Sequence, residues 1–88
     1  MMLTFQECLA FSELTEDEIL AIAEHENLPE AVALELGNTL AQTPAGEHCI
    51  EEMIVDDIVA AQRAGNLRHA AALKLVLRRF LEQHPNAG

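Results

Sequence analysis

Apolar positions recur at helical spacing along this chain, and start signals divide the pattern into segments. Thr4 with Glu7 and Thr15 with Glu18 fit the capping box, in which a hydroxyl and a carboxylate satisfy opposite free amides at a helix start. They predict a short helix over about residues 4–11 and a second over about 16–26. The apolar side of the second helix is expected to comprise Ile19, Leu20, Ile22 and Ala23.

A third helix is expected over about residues 28–42. Asn27, Pro29 and Glu30 resemble a cap, a first-turn proline and a returning carboxylate. The predicted apolar stripe of this helix is Leu28, Val32, Ala33, Leu36 and Leu40.

Thr43 and Pro44 mark the start of a fourth helix over about residues 44–64, and Gly65 is a natural left-handed terminator for it. Asn66 then caps a fifth helix that runs to about residue 83, shortly before Pro85. A link of two residues predicts an antiparallel helical hairpin. No strand pattern competes with these helices, so we expect one all-α domain over 1–88, a small four- to five-helix bundle with a C-terminal hairpin.

Two polar residues interrupt the apolar sides of the last two helices. Asp57 lies within the predicted apolar side of the fourth helix, and His69 lies within that of the fifth. One interpretation is a buried pair, extended by Glu51 or Glu26, for metal ligation or proton transfer. The favoured interpretation is structural: Asp57 meets Lys74 or another base, and His69 makes one hydrogen bond near the hairpin turn. The apolar residues are Ile50, Met53, Ile54, Ile58, Ala61 and Ala64 in the fourth helix, and Ala72, Leu73, Val76, Leu77, Phe80 and Leu81 in the fifth.

Clusters of His and Glu raise the question of a metal site. His25 stands between two glutamates, and the i, i+4 spacing of His48 and Glu52 places them on one helix face. The Glu-x-x-His pairs that carboxylate-bridged di-iron bundles require are missing. Acidic solvated surfaces with an occasional histidine are commoner than metal sites, so no cofactor is expected. The weak candidate ligands are His25, His48, Glu52, Asp57 and His69.

Charge is distributed unevenly along the 88 residues, whose formal net charge is −10. Residues 1–57 contain fourteen acids and no Lys or Arg, whereas residues 58–88 contain all five bases and one acid. Val55 and Val59 form a second apolar stripe on the fourth helix, and Leu75 lies outside the main apolar side of the fifth. Such exposed apolar positions beside charges favour an interface. The interface candidates are Val55, Val59, Leu75, Arg68, Arg78 and Arg79.

Several function classes find no support in the sequence. The apolar runs fall far short of the roughly 20 residues that span a bilayer, and no secretory pattern begins the chain, so a cytoplasmic location is expected. Cys8 and Cys49 lack a paired or catalytic motif, and the glycines form no phosphate loop, so we expect no enzyme. The excess of acids opposes binding to nucleic acid.

The sequence therefore favours a small acidic helical module for protein interaction or regulation, which binds a protein partner or a second copy of itself. The alternative is a helical protein that binds a metal or small ligand through Asp57 and His69 or through the Glu and His clusters. A third hypothesis is an acidic surface that imitates nucleic acid and blocks a basic protein.

Overall fold

The computed structural model describes residues 4–10 and 12–87, and in this part of the chain it shows five α-helices and no strand. The expected all-α bundle is confirmed. Residue 11, where the first helix was expected to end, lies outside the described residues. The helices are α1 (Phe5–Ala10), α2 (Glu16–Glu26), α3 (Glu30–Leu40), α4 (Pro44–Arg63) and α5 (Leu67–Gln83), followed by a short 3₁₀ turn over Pro85–Ala87.

The helix starts follow the capping signals closely. At α2, the Glu18 backbone amide donates to the Thr15 hydroxyl at 3.3 Å, and the Thr15 amide donates to the Glu18 carboxylate at 2.8 Å. The same reciprocal pair begins α1. At the start of α4, the Thr43 hydroxyl accepts a hydrogen bond from the Gly46 amide at 3.0 Å. At the start of α5, the Asn66 side-chain oxygen accepts one from the His69 amide at 3.3 Å. These bonds satisfy donors that a helix start would otherwise leave free.

The start of α3 differs from its prediction. Asn27 does not cap α3, because it adopts the left-handed conformation with φ of 55° and ends α2. Its amide donates to the Ala23 carbonyl, which is a C-terminal capping arrangement. Pro29 instead precedes α3 and offers no side-chain cap. Asparagine tolerates the left-handed region better than most residues, so the same side chain type suits either end of a helix.

α4 is the central element of the bundle, since it contacts α2, α3, α5 and the C-terminal 3₁₀ turn. The α4–α5 hairpin is confirmed. Gly65 takes the left-handed conformation with φ of 75°, and the Asn66 amide donates to the Ala61 carbonyl at 2.9 Å. Although α4 has 20 residues, neither it nor another helix in the described part is long and apolar enough to cross a membrane.

In α4 and α5 the buried residues largely coincide with the predicted apolar sides. In α2 and α3 the buried side is rotated from the predicted one. In α2, Leu20 is exposed and Ala21 is buried, and in α3 Val32 is exposed while Leu34 is buried. Ala64 and Ala72 are also exposed, near the edges of their predicted faces. The direction from which neighbouring helices approach decides which side is buried, and periodicity alone does not specify it. The larger core residues are Leu14, Ile19, Ile22, Leu34, Ile50, Met53, Ile54, Ile58, Leu73 and Phe80.

Gly46 allows the α3–α4 connection to pass close to the first turn of α4. A Cβ at this position would lie 1.8 Å from the Leu40 carbonyl oxygen. We expect Gly46→Ala to lower the free energy of unfolding by about 1–3 kcal/mol, because backbone must move to admit the methyl group. Urea denaturation measures this loss. Ala45→Ser, at an exposed neighbouring position, should stay within about 0.5 kcal/mol of wild type, and equal stability of the two variants would contradict the close approach.

Candidate interaction surface

The basic side chains of α5 remain largely unpaired within the fold. Arg78 Nε lies 3.3 Å from Glu82 Oε1, in an exposed pair along the same helix. Among the described residues, no carboxylate lies within 4.0 Å of Arg63, Arg68, Lys74 or Arg79. Exposed pairs of this kind contribute only about 0–1 kcal/mol, so the cations of α5 do little to hold the bundle together.

Histidines provide the ion pairs of the acidic part of the chain. Nε2 of His25 in α2 lies 2.9 Å from Asp56 Oδ2 in α4, and Nε2 of His69 in α5 lies 2.7 Å from Glu24 Oε1 in α2. In the described residues, every ion pair between different elements uses a histidine. The carboxylates of α2 and α4 are therefore linked to other parts of the fold through histidines.

One side of α5 presents bases around an exposed leucine. Leu75 is 48% exposed. Arg68 precedes it by two helical turns, while Arg78 and Arg79 follow it by about one turn, so these residues lie toward the same side of the helix. We call Arg68, Leu75, Arg78 and Arg79 the basic face. All four were predicted as interface residues.

One side of α2 presents the opposite charge around another exposed leucine. Leu20 is 45% exposed, with Asp17 one turn before it and Glu24 one turn after it. We call Asp17, Leu20 and Glu24 the acidic face. The sequence pattern does not predict this face, because periodicity places Leu20 on the buried side of α2. The spacing of Asp17 and Glu24, three residues before and four residues after Leu20, could have indicated that this leucine lies on a charged, exposed face.

A groove of about 220 Å³ separates α2 from α5. Its polar lining consists of Asp17, Glu24 and His69. Its apolar lining consists of Leu20 and Ala21 of α2 and Ala72, Leu73 and Val76 of α5. The acidic face thus forms one wall of the groove, and α5, which carries the basic face, forms the other.

The two remaining interface candidates occupy α4. Val55 is 40% exposed and Val59 is 37% exposed, and they lie one turn apart. Neither valine lines the groove between α2 and α5. They form a separate apolar stripe, with Glu52 and Asp56 within one turn of them and Arg63 one turn beyond Val59.

No hydrogen bond or ion pair joins Asp57 to His69 in the described residues, so the less favoured interpretation of a buried pair gains no support. Asp57 is 4% exposed, and its Oδ2 atom has no hydrogen-bond partner. Of the favoured interpretation, His69 does make one hydrogen bond, which it donates to Glu24. Asp57 has no ion pair with Lys74 or with another base in the described residues. Burial, followed by the negative charge of Glu24, raises the pKa of Asp57 to about 6, while His25 and His69 oppose the shift.

The candidate metal ligands lie in two places. Both ring nitrogens of His48 face acceptors: Nδ1 donates to the Ala87 carbonyl at 2.9 Å, and Nε2 lies 3.0 Å from Glu52 Oε1. His25, Asp57 and His69 lie at the α2–α4–α5 junction, where each histidine is bonded to a carboxylate. Within the part of the chain that the structure describes, no three His, Cys, Asp or Glu side chains are grouped to hold a metal ion.

The sequence pattern does not predict a second group of buried polar residues, Glu18 and His84. Glu18 is fully buried, and its Oε2 atom has no partner although its Oε1 atom closes the capping box. His84 is also buried, with Nδ1 3.3 Å from Glu47 Oε2 and its ring stacked on Phe80 at 4.6 Å. Burial raises the pKa of Glu18, and the charge of His84 opposes this. The capping motif predicted the bond of Glu18, but only tertiary packing determined its burial.

The perturbed groups favour a protonated folded state. Burial raises the pKa of Glu18 and Asp57, so their contribution to stability is lost as pH rises through the folded-state values. The hydrogen bond to Asp56 raises the pKa of His25, and the bond to the Ala87 carbonyl raises the pKa of His48. Their stabilisation is present below the ordinary histidine pKa and is lost as pH rises through the raised values. All four pKa values are therefore raised by folding, and each raised value makes the folded state more stable at mildly acidic pH than at higher pH.

Asp57→Asn should flatten part of this pH dependence. Wild type loses stability as pH rises from about 4 to about 7, because Asp57 must ionise in a buried site, and the variant lacks that cost. The unfolding free energy of the variant, relative to that of wild type, should therefore rise by about 2–3 kcal/mol between these two pH values. Denaturant titrations at each pH measure it. Glu35→Gln, at an exposed site, is the control, and a parallel shift of both variants would contradict the assignment.

Asp56→Asn should lower the pKa of His25 toward its ordinary value of 6.5, because the Asp56 carboxylate is the main cause of the raised pKa. NMR titration of the imidazole protons measures the change. Glu52→Gln removes a carboxylate beside His48 instead and should leave the pKa of His25 unaltered. An unchanged His25 pKa in Asp56→Asn would show that the α2–α4 contact is absent in solution.

Comparisons with known proteins yield no relative of this chain. No family model matches it, and no curated protein or solved structure shows significant similarity to it. The case for a function therefore depends on the surfaces, grooves and charges described above.

Proposed function

We propose that this chain is a protein-interaction module that self-associates, and that it acts through binding rather than catalysis. The observation that carries the proposal is the basic face of α5, whose cations find no carboxylate in the described part of the fold outside their own helix. The same chain carries fourteen acids in residues 1–57. Histidines pair some of these acids, Glu24 among them, but others such as Asp17 have no ion pair in the described residues and are available to a second molecule.

Exposed leucines would also stabilise an association, because binding would remove their apolar surface from water. Leu75 lies within the basic face, and Leu20 lies within the acidic face. Burying apolar area contributes roughly 25 cal/mol per Å², whereas complementary charge mainly sets specificity and association rate. An apolar centre with a charged margin is the usual arrangement of a protein interface.

A metal or small-ligand function finds less support. Three surface clefts hold about 220 to 270 Å³ each, and they are open to solvent. Pockets that bury a small molecule typically hold about 300–1,000 Å³. The candidate histidines are bonded to carboxylates or to a backbone carbonyl, and in the described residues no three potential ligands are grouped to hold a metal ion.

Sedimentation velocity over a range of protein concentrations tests the proposal. At about 0.1 M salt the wild type should form a concentration-dependent oligomer, because the Debye length of about 10 Å preserves interactions between exposed charges. At about 1 M salt the Debye length is about 3 Å, and the dissociation constant should rise by at least about tenfold.

Arg68→Gln with Arg79→Gln should weaken the association in the same direction, since it removes two cations of the basic face. Glu35→Gln removes a charge elsewhere on the surface and serves as the control. A chain that stays monomeric at every concentration in low salt would refute self-association. A dissociation constant that does not change between about 0.1 M and about 1 M salt would refute the electrostatic basis of the association.

A further inference from the structure

We propose that self-association uses the surface that α2 and α5 form together, and that the groove between these helices is covered by the same surface of a second copy. The inference rests on the proposed function, because it names the surface and the partner for that binding. Its basis is the placement of opposite charges on two adjacent helices. The arrangement makes this surface complementary to itself.

The groove provides an apolar strip that reaches both helices. Leu20 on α2 and Leu75 on α5 are about half exposed, and Ala72 and Val76 line the groove between them. The floor of the groove is Ala21 and Leu73, both buried. Covering this strip would remove apolar area from water without moving any core residue.

The charges beside the strip are opposite in sign on the two helices. Asp17 and Glu24 are seven residues apart, which is roughly 10 Å along α2. Arg68 and Arg79 are eleven residues apart, roughly 16 Å along α5, and long arginine side chains can converge on carboxylates spaced more closely. Each patch therefore has a leucine with charges of one sign before and after it.

A two-fold axis along the groove brings these patches together twice. Rotation about such an axis places α2 of each copy opposite α5 of the other, so the acidic face of each meets the basic face of its partner. This is an isologous interface, in which the same surface serves both copies. It closes after two molecules, so the expected oligomer is a dimer.

The Val55–Val59 stripe lacks this self-complementarity. Its nearest charges on α4 are predominantly acidic, and a two-fold pairing of α4 helices would bring like charges together. Like charges in an interface cost free energy that the two valines must offset. The α2–α5 surface carries one sign of charge on each helix and avoids that cost.

Complementary charge reversal tests the inference. The acid-reversal variant carries Asp17→Lys and Glu24→Lys, and the base-reversal variant carries Arg68→Glu and Arg79→Glu. In the acid-reversal variant both faces are basic, and in the base-reversal variant Arg78 is the one cation left in the basic face. Each variant alone therefore brings mainly like charges together, so its self-association should weaken by at least about tenfold. The equimolar mixture should recover a dimer with one copy of each, because both contacts then join opposite charges. Native mass spectrometry separates the mixed dimer from either homodimer by mass.

Two control variants separate this surface from other causes. Glu13→Lys with Glu35→Lys changes the net charge as much as the acid reversal does but alters exposed acids outside the acidic face. Val55→Thr with Val59→Thr alters the α4 stripe at nearly constant side-chain volume. Both controls should dimerise as wild type does. Circular dichroism confirms that each variant keeps its helices. The acid reversal also removes the contact between Glu24 and His69 and changes the first turn of α2 at Asp17. If it perturbs the fold, the loss of self-association in the base-reversal variant, altered only at exposed positions, provides the test.

The outcomes distinguish the two proposals. A wild type that never self-associates refutes the proposed function and this inference together. A wild-type dimer whose affinity survives both reversals, or is lost in the Val55–Val59 variant, refutes the α2–α5 surface and leaves self-association standing. Loss of association in each reversal variant with no recovery in the mixture also refutes the reciprocal pairing. Recovery of the mixed dimer supports it.

Discussion

Burial of one face of α4 is the interaction on which the rest of the structure depends. Ile50 and Ile54 are completely buried there, and Met53 and Ile58 extend the same face. Because α2, α3 and α5 all contact α4, each of them buries its own apolar side against this helix or beside it. The cost of placing Asp57 within the same face is tolerated because the surrounding apolar burial is large.

The second constraint is electrostatic and follows from the uneven distribution of charge. With no Lys or Arg in residues 1–57, the carboxylates of α2 and α4 are bridged to other elements by histidines. The hydrogen bond to Asp56 raises the pKa of His25, so this contact is strongest while His25 is protonated. The buried Glu18 and Asp57 favour the protonated state for a different reason, which is desolvation of their charge.

These internal contacts leave the arginines free for another role. Histidines and apolar side chains hold the bundle together, while the basic face of α5 projects into solvent. The acidic face of α2 stands on the far side of a shallow groove from it. A fold that does not use its strongest cations internally keeps them available for association, and the proposed dimer is the simplest arrangement that pairs them.

Local sequence determined much of this architecture. The threonine and asparagine caps, the end of α4 at Gly65 and the α4–α5 hairpin were all predictable, because each depends on residues within about four positions of one another. The exposure of Arg68, Leu75, Arg78 and Arg79 was predictable too, since these residues lie away from the apolar side of α5. Tertiary structure decided which sides of α2 and α3 are buried, whether Asn27 ends one helix or begins the next, and that His69 bonds to Glu24 and not to Asp57. It also brought the acidic face beside α5. These outcomes depend on the direction from which distant helices approach, and that direction is set by the packing of the whole core, which no short stretch of sequence specifies.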